Sequence, residues 1–454
     1  MLCYSPRMLN PKEVELLKGS LDTLAAGWAE LPSFDQDIDW DAVASVLDRV
    51  ATGMRDNYPY AHPLYAGQML KPPHPVARLA YAMSLWVNPN NHALDGGRAS
   101  SAMEKSIIPR IAGLWGWDEC LGHLTGGGTM ANLEALWVAS RLHPGKAVVA
   151  SAQAHYTHSR LTEVLGIPFD AIAVEPSGHM DINHLAKRLE RGDVGTVVVT
   201  MGTTGLGAVD PLPDVLELQS KHGFRIHADA AYGGYFGLSS LLEEGPRSAF
   251  DALGNVDSVV IDPHKHGLQP YGCGSVLFRD PSVGRFYQHG SPYTYFSSSE
   301  LHLGEISLEC SRPGAAAVAL WATMELLPLE AGGEFATMLD RDIEAARRFV
   351  ERIAEGDRFT PVHTPDLDIV VYAVNAATAE ESSDRARSIF ETAAARDLHL
   401  ALINVPRGML ASALPDLAGD GDTVTCLRST FMKPEQVDWI PEIVAILESA
   451  ADSG

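Results

Sequence analysis

The chain has 454 residues, a formal net charge of −24 and an ordinary globular composition, with 46% hydrophobic and 20% charged residues. Because so acidic a chain repels polyanions, its composition argues against a nucleic-acid partner and against an anionic membrane surface. No stretch approaches the roughly 20 apolar residues that a membrane-spanning helix needs, so we predict no membrane contact. The five cysteines lie far apart without metal-ligand spacing, which predicts free thiols, a cytoplasmic protein and no metal site.

Short apolar strands alternate with helical stretches between residues 90 and 278. Such alternation predicts an α/β fold, with a mainly parallel sheet and helices on both faces. A second part begins near Glu334 with an amphipathic helix and continues as an α+β pattern. The predicted strands are Ala147–Ala150, Ala171–Val174, Thr196–Met201, Phe224–Ile226, Val256–Ile261, Gly274–Phe278, Asp368–Val374 and Thr423–Leu427.

We therefore divide the chain into three regions. Residues 1–85 are predicted to form an N-terminal helical segment, residues 86–333 a large domain, and residues 334–454 a small α+β domain. Candidate ligand groups fall at the ends of strands in the large domain, where open α/β sheets bind their ligands.

The first candidate site is a glycine-rich turn, HLTGGGTMANLEALW, that runs into an amphipathic helix. The backbone N–H groups of Gly127, Gly128 and Thr129 would lie at the helix N-terminus, where the helix dipole favours an anion. Such a turn can hold a phosphate dianion without a lysine. Taken alone it is a weak signal, because glycines also serve ordinary tight turns.

Two further segments follow predicted strands. His155 begins the next helix, and its imidazole can stack on a flat ring, although a lone histidine is more often an ordinary polar residue. The loop after the strand at 196–201 contains Thr203 and Thr204, whose hydroxyls can donate to a ring or to a carboxylate. Turn chemistry alone is the alternative for that loop.

The segment HADAAYGGYF places one carboxylate, Asp229, at the end of a short apolar strand. A buried unpaired carboxylate is costly unless a cation meets it, so this position predicts a cationic partner. The small Ala231, two positions on, can lie flat against a ring. The competing interpretation is an aspartate that caps a helix or a turn.

The most informative segment is DPHKHGLQPYGCG, which sets Lys265 directly after His264 beyond an apolar strand. Burial there would disfavour the charged form of the lysine and make its amine a nucleophile for a carbonyl. Such sites usually hold pyridoxal phosphate, whose protonated pyridine nitrogen would be the cation that Asp229 requires. A lysine with a buried stem and an ammonium group in water is the alternative.

Glycine loop, histidine, GTT loop, HADAAYGG and DPHK occur in an order that resembles the group II pyridoxal-phosphate-dependent amino acid decarboxylases, from about Tyr58 to the C-terminus. The resemblance implies the type I aminotransferase-like fold, pyridoxal 5'-phosphate as cofactor, and a homodimer with active sites at its interface. It also implies that the N-terminal segment wraps the partner subunit.

The resemblance assigns a role to each motif. Lys265 would be the Schiff-base lysine and Asp229 the partner of the pyridinium. His155 and Ala231 would lie on the two faces of the ring, and His264 would neighbour the phosphate or the imine. The remaining cofactor-binding positions are Gly127, Gly128, Thr129, Thr203 and Thr204.

The implied reaction is decarboxylation of an L-amino acid to the amine and carbon dioxide, through a Schiff base and a quinonoid. A loop at about residues 289–305, rich in serine and tyrosine, is expected to be mobile at the mouth of the site. Its Tyr293 or Tyr295 would return a proton to the alpha carbon. Aromatic residues that anchor a surface loop are the alternative.

Three N-terminal side chains and one arginine bear on the substrate. His62, Tyr65 and Trp86 can line a pocket for an aromatic side chain, or can be core or interface residues. Arg428 matches an arginine that grips a substrate carboxylate in glutamate-type relatives, with a surface or interdomain salt bridge as its alternative. We expect an aromatic substrate such as tyrosine, and an acidic amino acid second.

Two departures from the family pattern weaken any transfer of substrate preference. Met130 follows Thr129 where many relatives carry glutamate, and Asp262 stands where aromatic decarboxylases carry asparagine. Other chemistry on the same fold is the alternative function: decarboxylation-dependent aldehyde synthesis, carbon–carbon lyase or transamination. A noncatalytic binding protein would require the loss of key residues, yet Lys265 and Asp229 are present.

Overall fold

The computed structural model of the protein describes residues 8–288 and 300–452. Its strands are β1 (Leu121–Thr125), β2 (Ala147–Ser151), β3 (Phe169–Ile172), β4 (Val194–Thr200), β5 (Arg225–Asp229), β6 (Ser258–Ile261), β7 (Gly274–Phe278), β8 (Phe359–Pro361), β9 (Ile369–Val374), β10 (Ala401–Pro406) and β11 (Thr423–Thr430). The first seven form one large sheet in the order β1-β7-β6-β5-β4-β2-β3. Strands β3, β2, β4, β5 and β6 are parallel, whereas β7 is antiparallel to both β6 and β1.

Helices cover both faces of the large sheet. Every residue of β2, β4, β6 and β7 is buried, as a parallel sheet enclosed between helical layers requires. This confirms the predicted α/β architecture. The helices are α1 (Pro11–Ala26), α2 (Trp40–Met54), α3 (Pro75–Ser84), α4 (Arg98–Ala112), α5 (Gly128–Leu142), α6 (Thr157–Leu165), α7 (Ile182–Leu189), α8 (Leu212–His222), α9 (Glu244–Asp251), α10 (Gly314–Leu326), α11 (Glu334–Ala354), α12 (Ala379–Ala394), α13 (Arg407–Leu410) and α14 (Gln436–Ala451).

The large sheet contains one strand that the sequence did not predict, and several others have bounds that differ from the prediction by one to three residues. Strand β1 was not predicted, because His123 interrupts its short apolar run; this imidazole is buried 3.0 Å from the Glu134 carboxylate, which offsets the cost of enclosing it. Strand β3 begins two residues before the predicted 171–174. Its parallel pairing with β2, with Phe169 opposite Val148, sets this register.

The small sheet is antiparallel and has the order β10-β11-β9-β8. Helices α11 and α12 pack against it, and α14 packs against these two helices. Its core contains the ring of Phe349, 5.2 Å from Tyr372 and 5.0 Å from Phe431 between ring centroids. The strands predicted at 368–374 and 423–427 correspond to β9 and β11, whereas the more polar β8 and β10 were not predicted.

The N-terminal region contains helices α1, α2 and α3. Helix α3 packs against α10, whereas α1 and α2 contain no buried residue. Within residues 8–288 and 300–452, no helix combines the length and the apolar character that crossing a membrane would take.

Candidate active site

The sequence motifs meet at one edge of the large sheet, where the parallel strands end. The glycine loop follows β1, His155 follows β2, Thr203 follows β4, Asp229 ends β5 and Lys265 follows β6. Register places the ends of β1 and β6 beside the start of β7, since Thr125 pairs with Gly274 and Ile261 with Ser275. This edge is where open α/β sheets bind their ligands.

The buried carboxylate of Asp229 has a histidine partner. The Nε2 atom of His158 lies 2.8 Å from Asp229 Oδ2, and both side chains are almost fully enclosed. Burial alone would raise the pKa of Asp229, but the hydrogen bond and the positive charge of His158, with Lys265 nearby, hold that pKa well below its ordinary range. Asp229 is therefore a permanently ionised carboxylate inside the protein.

A chain of neutral groups orients the remaining contacts of Asp229. Burial lowers the pKa of His227 to about 3, so its imidazole is neutral. His227 Nε2 donates to Asn132 Oδ1 at 2.8 Å, while its Nδ1 accepts from the Ser258 hydroxyl at 2.9 Å. This turns the Asn132 amide nitrogen towards Asp229 Oδ2, 3.4 Å away. The Ala231 N–H also donates to Asp229 Oδ1, at 3.2 Å.

The glycine loop is packed so closely that side chains have no room. A Cβ on Gly128 would lie 2.6 Å from Asp262 Oδ2, and a Cβ on Gly274 would lie 2.6 Å from the Cα of Gly127. Gly127 also has a φ of 144°, which L side chains rarely adopt. Helix α5 starts here with no side-chain cap in the part of the chain described, and Thr129 is exposed. The Gly127 N–H donates to the Thr125 hydroxyl at 3.3 Å, and the N–H groups of Gly128 and Thr129 at the helix N-terminus can form a cradle for an anion.

Lys265 lies beside a carboxylate rather than in the apolar surroundings that the sequence suggested. Its Nζ is 3.2 Å from Asp262 Oδ2, and its side chain is 20% exposed. The reason is the turn after β6, in which the Lys265 N–H donates to the Asp262 carbonyl and brings the two side chains together. His264 Nε2 lies 3.5 Å from the same carboxylate oxygen, and its ring packs against Tyr271 at an interplanar angle of 33°.

His155 is half-buried next to the same groups. Its Nδ1 pairs with the Thr157 hydroxyl at 2.8 Å, which fixes the ring at the start of α6. Burial lowers the pKa of His155, although the charge of Asp229 opposes this. The imidazole is thus neutral and suited to stacking on a ring.

The two threonines of the GTT loop differ in environment. The hydroxyl of Thr203 is buried and accepts from the Ala208 N–H at 3.1 Å, which is turn chemistry. Thr204 is exposed, and its carbonyl accepts from the Arg428 guanidinium at 2.8 Å. The Thr203 hydroxyl is therefore engaged within its own loop.

The predicted substrate residues are spread over a wider region. Tyr65 is buried, and its hydroxyl accepts from the Gln68 N–H at 3.3 Å. His62 packs on Trp439 of α14, 5.0 Å between ring centroids, and Trp86 is 64% exposed beyond α3. Tyr293 and Tyr295 lie outside the described residues.

Sequence reasoning missed His158 and Asn132. His158 follows His155 by three residues, so both lie on one face of a helical turn, and this spacing was a usable signal. Asn132 carries no comparable signal, because its role depends on α5 crossing behind the end of β5.

The family follows from residues 130–375, more than half of the chain, which match the model described as the pyridoxal-dependent decarboxylase conserved domain. The chain belongs to this family. It is a pyridoxal-phosphate-dependent amino acid decarboxylase, as its resemblance implied. The ionised Asp229 and the side-chain-free cradle at Gly128 fit the pyridine nitrogen and the phosphate of that cofactor.

Several named decarboxylases are similar in sequence. An L-tyrosine decarboxylase of Enterococcus faecium is 27% identical over 441 aligned residues, covering 73% of this chain and 72% of that protein. A probable L-tyrosine/L-aspartate decarboxylase of Methanothermobacter thermautotrophicus is 29% identical, covering 70% and 85%. An L-aspartate/L-glutamate decarboxylase of Pyrococcus horikoshii is 28% identical, covering 67% and 78%.

Solved structures share the fold. Mouse CSAD superposes with a TM-score of 0.77 at 21% identity and covers 98% of this chain and 92% of its own. Oryza sativa TDC with PLP and tryptamine gives a TM-score of 0.78 at 16% identity, with 99% of each chain covered. These superpositions show the aminotransferase-like type I fold, whereas the low sequence identities leave the substrate open.

Filling the cradle should weaken cofactor binding. In Gly128→Ala the new methyl group would meet the Asp262 carboxylate, so the loop must shift away from the anion. We expect the dissociation constant of pyridoxal phosphate to rise about tenfold or more, measured by absorbance titration of the apoprotein. Gly113→Ala is the control, because a Cβ there meets nothing within 4 Å. An unchanged constant for Gly128→Ala would show that the phosphate lies elsewhere.

Removing the buried charge should impair turnover more than cofactor binding. We expect Asp229→Asn to lower kcat about 100-fold at saturating cofactor, because a neutral amide cannot keep the pyridine nitrogen protonated. Asp210→Asn is the matched control, since Asp210 is a buried carboxylate that accepts from the N–H groups of Met180 and Thr200 outside the motifs. Equal losses in both variants would indicate a folding defect.

Proposed function

We propose that the protein decarboxylates an aromatic L-amino acid such as tyrosine, releasing the amine and carbon dioxide. When bound, pyridoxal phosphate accepts the electrons of the bond between the alpha carbon and the carboxylate. The observation that carries the substrate class is the engagement of Arg428, the arginine that would grip an acidic side chain.

Each nitrogen of the Arg428 guanidinium donates to a backbone carbonyl. Nε reaches Gly205 at 3.1 Å, Nη1 reaches Gly67 at 3.2 Å, and Nη2 reaches Thr204 at 2.8 Å. The side chain is only 5% exposed, in β11. It thus joins the small sheet to the GTT loop and to the N-terminal region, and a substrate carboxylate would have to displace these contacts. This supports a substrate without an acidic side chain.

Aromatic rings lie next to these hydrogen bonds of Arg428. Tyr65 packs edge-on against Tyr60 at 5.0 Å, and Tyr58 packs against His399 at 4.4 Å, between ring centroids. Tyr65 and Gly67 are neighbours in the HPLYAGQ segment, so the rings approach the same loop that Arg428 holds. An apolar, aromatic surface here favours an aromatic side chain through stacking.

The roles of the motif residues complete the proposal. The Lys265 amine would hold the cofactor, and Asp229 would keep its pyridine nitrogen protonated. His155 and Ala231 would lie on the two faces of the ring, and His264 would neighbour the phosphate or Lys265. Gly127, Gly128 and Thr129 would hold the phosphate, with Thr203 and Thr204 near the ring, and Tyr293 or Tyr295 would return a proton to the alpha carbon.

An acidic amino acid is the second candidate, favoured by the names of relatives that act on aspartate or glutamate. A panel of L-amino acids, with carbon dioxide, amine and hydrogen peroxide measured together, separates the possibilities. We expect amine and carbon dioxide in equal amounts from tyrosine. Turnover of aspartate or glutamate alone would exclude the aromatic substrate, and peroxide with aldehyde would indicate the oxidative alternative.

Arg428→Lys tests whether this arginine holds the loop or the substrate. A lysine cannot make the three diverging hydrogen bonds, so we expect a loss of about 1–3 kcal/mol in the free energy of unfolding. The KM for tyrosine should change less than about threefold. Unchanged stability with a KM for acidic substrates raised tenfold or more would instead make Arg428 a substrate ligand. Arg191→Lys, at an exposed arginine in the turn after α7, is the control.

We also propose a homodimer, since α2 carries an unpaired apolar stripe. Its residues recur with helical spacing and are 37–69% exposed: Trp40, Val43, Leu47, Val50 and Met54. Such a stripe requires a covering surface, and a second copy with active sites at the interface would supply one. The four described cysteines are free thiols, which supports a reducing, cytoplasmic setting.

Charging this stripe should separate the subunits. We expect Leu47→Asp to convert the dimer to a monomer in light scattering after size exclusion, because an ionised group cannot be buried in an apolar contact. Arg49→Gln, on the polar face of α2, should leave the dimer intact. A monomeric wild type would contradict the proposal directly.

A further inference from the structure

A buried cluster of ionisable groups lies directly behind the cofactor lysine, and the roles proposed above do not use it. His266, the residue after Lys265, is 1% exposed. On one side of its ring lies Asp342 of α11, and on the other lies Asp368, the residue that precedes β9. Both carboxylates are fully buried and belong to the C-terminal part of the chain. The cluster therefore connects the small sheet to the turn that carries Lys265.

The two ring nitrogens of His266 face two different carboxylates. Nδ1 lies 3.5 Å from Asp342 Oδ2, and Nε2 lies 3.3 Å from Asp368 Oδ2. A neutral imidazole has one N–H, so it can donate to one carboxylate only. Its other nitrogen would then present a lone pair to the second carboxylate. Both contacts are attractive only if the pair of His266 and Asp368 holds one further proton.

The charges around the cluster decide where that proton lies. Lys71 Nζ is 2.7 Å from Asp342 Oδ2, so Asp342 already has a cation. Asp368 Oδ1 accepts from the Tyr232 hydroxyl at 2.6 Å, a neutral donor, and its Oδ2 has no hydrogen-bond partner among the described residues. Away from water, a neutral acid beside a neutral imidazole costs less than an extra ion pair.

We propose that Asp368 is a neutral carboxylic acid in the working enzyme, and that it donates its proton to His266 Nε2 and so positions Lys265 against the small sheet. His266 then donates from Nδ1 to Asp342, which is neutralised by Lys71. Each of the three contacts has one donor and one acceptor. Asp368 and His266 are positioning residues, because they act on the substrate only through Lys265.

The titration of these groups agrees with the geometry. Burial, followed by the negative charge of Asp342, raises the pKa of Asp368 to about 8, although Tyr232 and Lys71 oppose the shift. Burial lowers the pKa of His266 to about 4. From β11 and beyond, Arg428 and Lys433 also face Asp368, but burial lowers the pKa of Lys433 to about 7, which removes part of its charge at neutral pH.

A metal ion is a poorer occupant of this cluster. The ligand atoms of His266, Asp342 and Asp368 lie within 4.8 Å of one another, a donor set that can hold a cation. The Lys71 ammonium, however, already contacts Asp342, and a metal would have to tolerate that positive charge. A proton satisfies the unpaired lone pairs without adding a second cation beside the lysine.

Infrared spectroscopy tests the protonation state without any assumption about the substrate. At pH 7 the wild-type protein should show the C=O stretching band of a protonated carboxyl group, which Asp368→Asn should lose. The band should vanish from the wild type as the pH rises above about 8. Asp340→Asn, two residues before Asp342 and hydrogen-bonded to Ser239 and Ser240, is the control that should retain it. Identical spectra for wild type and Asp368→Asn would overturn the neutral acid.

Activity as a function of pH tests the positioning role, which rests on the decarboxylase reaction. An asparagine amide mimics the neutral acid, so Asp368→Asn should keep kcat within about twofold at pH 7. The decline of kcat above about pH 8 in the wild type should move to higher pH in this variant. Asp368→Ala cannot donate to His266 and should lose activity at all pH values. Asp368→Asn, which can donate, should be active where the alanine variant is not. A decline at the same pH in wild type and Asp368→Asn would overturn the positioning role while the infrared result stands.

The pH dependence of folding stability is an independent test of the neutral acid. The unfolded chain releases the Asp368 proton near pH 4, the ordinary pKa of an aspartate, whereas the folded protein holds it up to about pH 8. The stabilisation is complete below about pH 4 and is lost as the pH rises through about 8. We expect the Tm of Asp368→Asn to fall less than that of the wild type over this range. An equal fall in both proteins would contradict the proposal.

Discussion

The ionised carboxylate of Asp229 is the interaction on which the site depends. A charge at the end of a central parallel strand has no access to water, so it must be paired from within the fold. His158 supplies that pairing at 2.8 Å, which requires α6 to begin where it does. Asn132 must also lie behind the strand, oriented by His227 and Ser258. A cofactor's protonated pyridine nitrogen would then meet a charge that the protein has already stabilised.

Two buried aspartates of this region, Asp229 and Asp368, are stabilised in opposite ways. The hydrogen bond and charge interaction with His158 hold the carboxylate of Asp229 ionised. Asp368 shares its imidazole with Asp342, whose charge Lys71 already balances, so a second ionised acid would be uncompensated. Retaining a proton is the less costly arrangement there. Local charge balance, rather than depth of burial, distinguishes the two aspartates.

Two cationic side chains of the C-terminal region reach backbone carbonyls outside the small sheet. Arg428 joins β11 to the GTT loop and to Gly67, and Lys433 donates to the Tyr65 carbonyl at 2.7 Å. Because these cations are bound by carbonyl oxygens, they have no carboxylate partner that a substrate carboxylate could replace. The position of the small sheet is thereby coupled to the loops that surround the cofactor site.

Much of this protein was determined by its sequence alone, because local patterns are sufficient for it. The alternation of apolar strands with helices gave the parallel sheet, and the order of five short motifs gave the family and the cofactor. Lys265, Asp229 and the glycine turn were predicted as site residues from their motifs, and they meet because strand ends of a parallel sheet converge on one edge. Strands β1, β8 and β10 escaped prediction because polar residues interrupt their short apolar runs.

Only the tertiary structure decided which side chains the site residues pair with. The pairing of Asp229 with His158 and the meeting of His266 with Asp342 and Asp368 join residues from separate elements. The last of these spans about a hundred positions of sequence. Protonation state depends on burial and on neighbouring charges, which a linear pattern does not contain. The chain therefore specifies which groups carry the chemistry, and the fold specifies the charge that each of them holds.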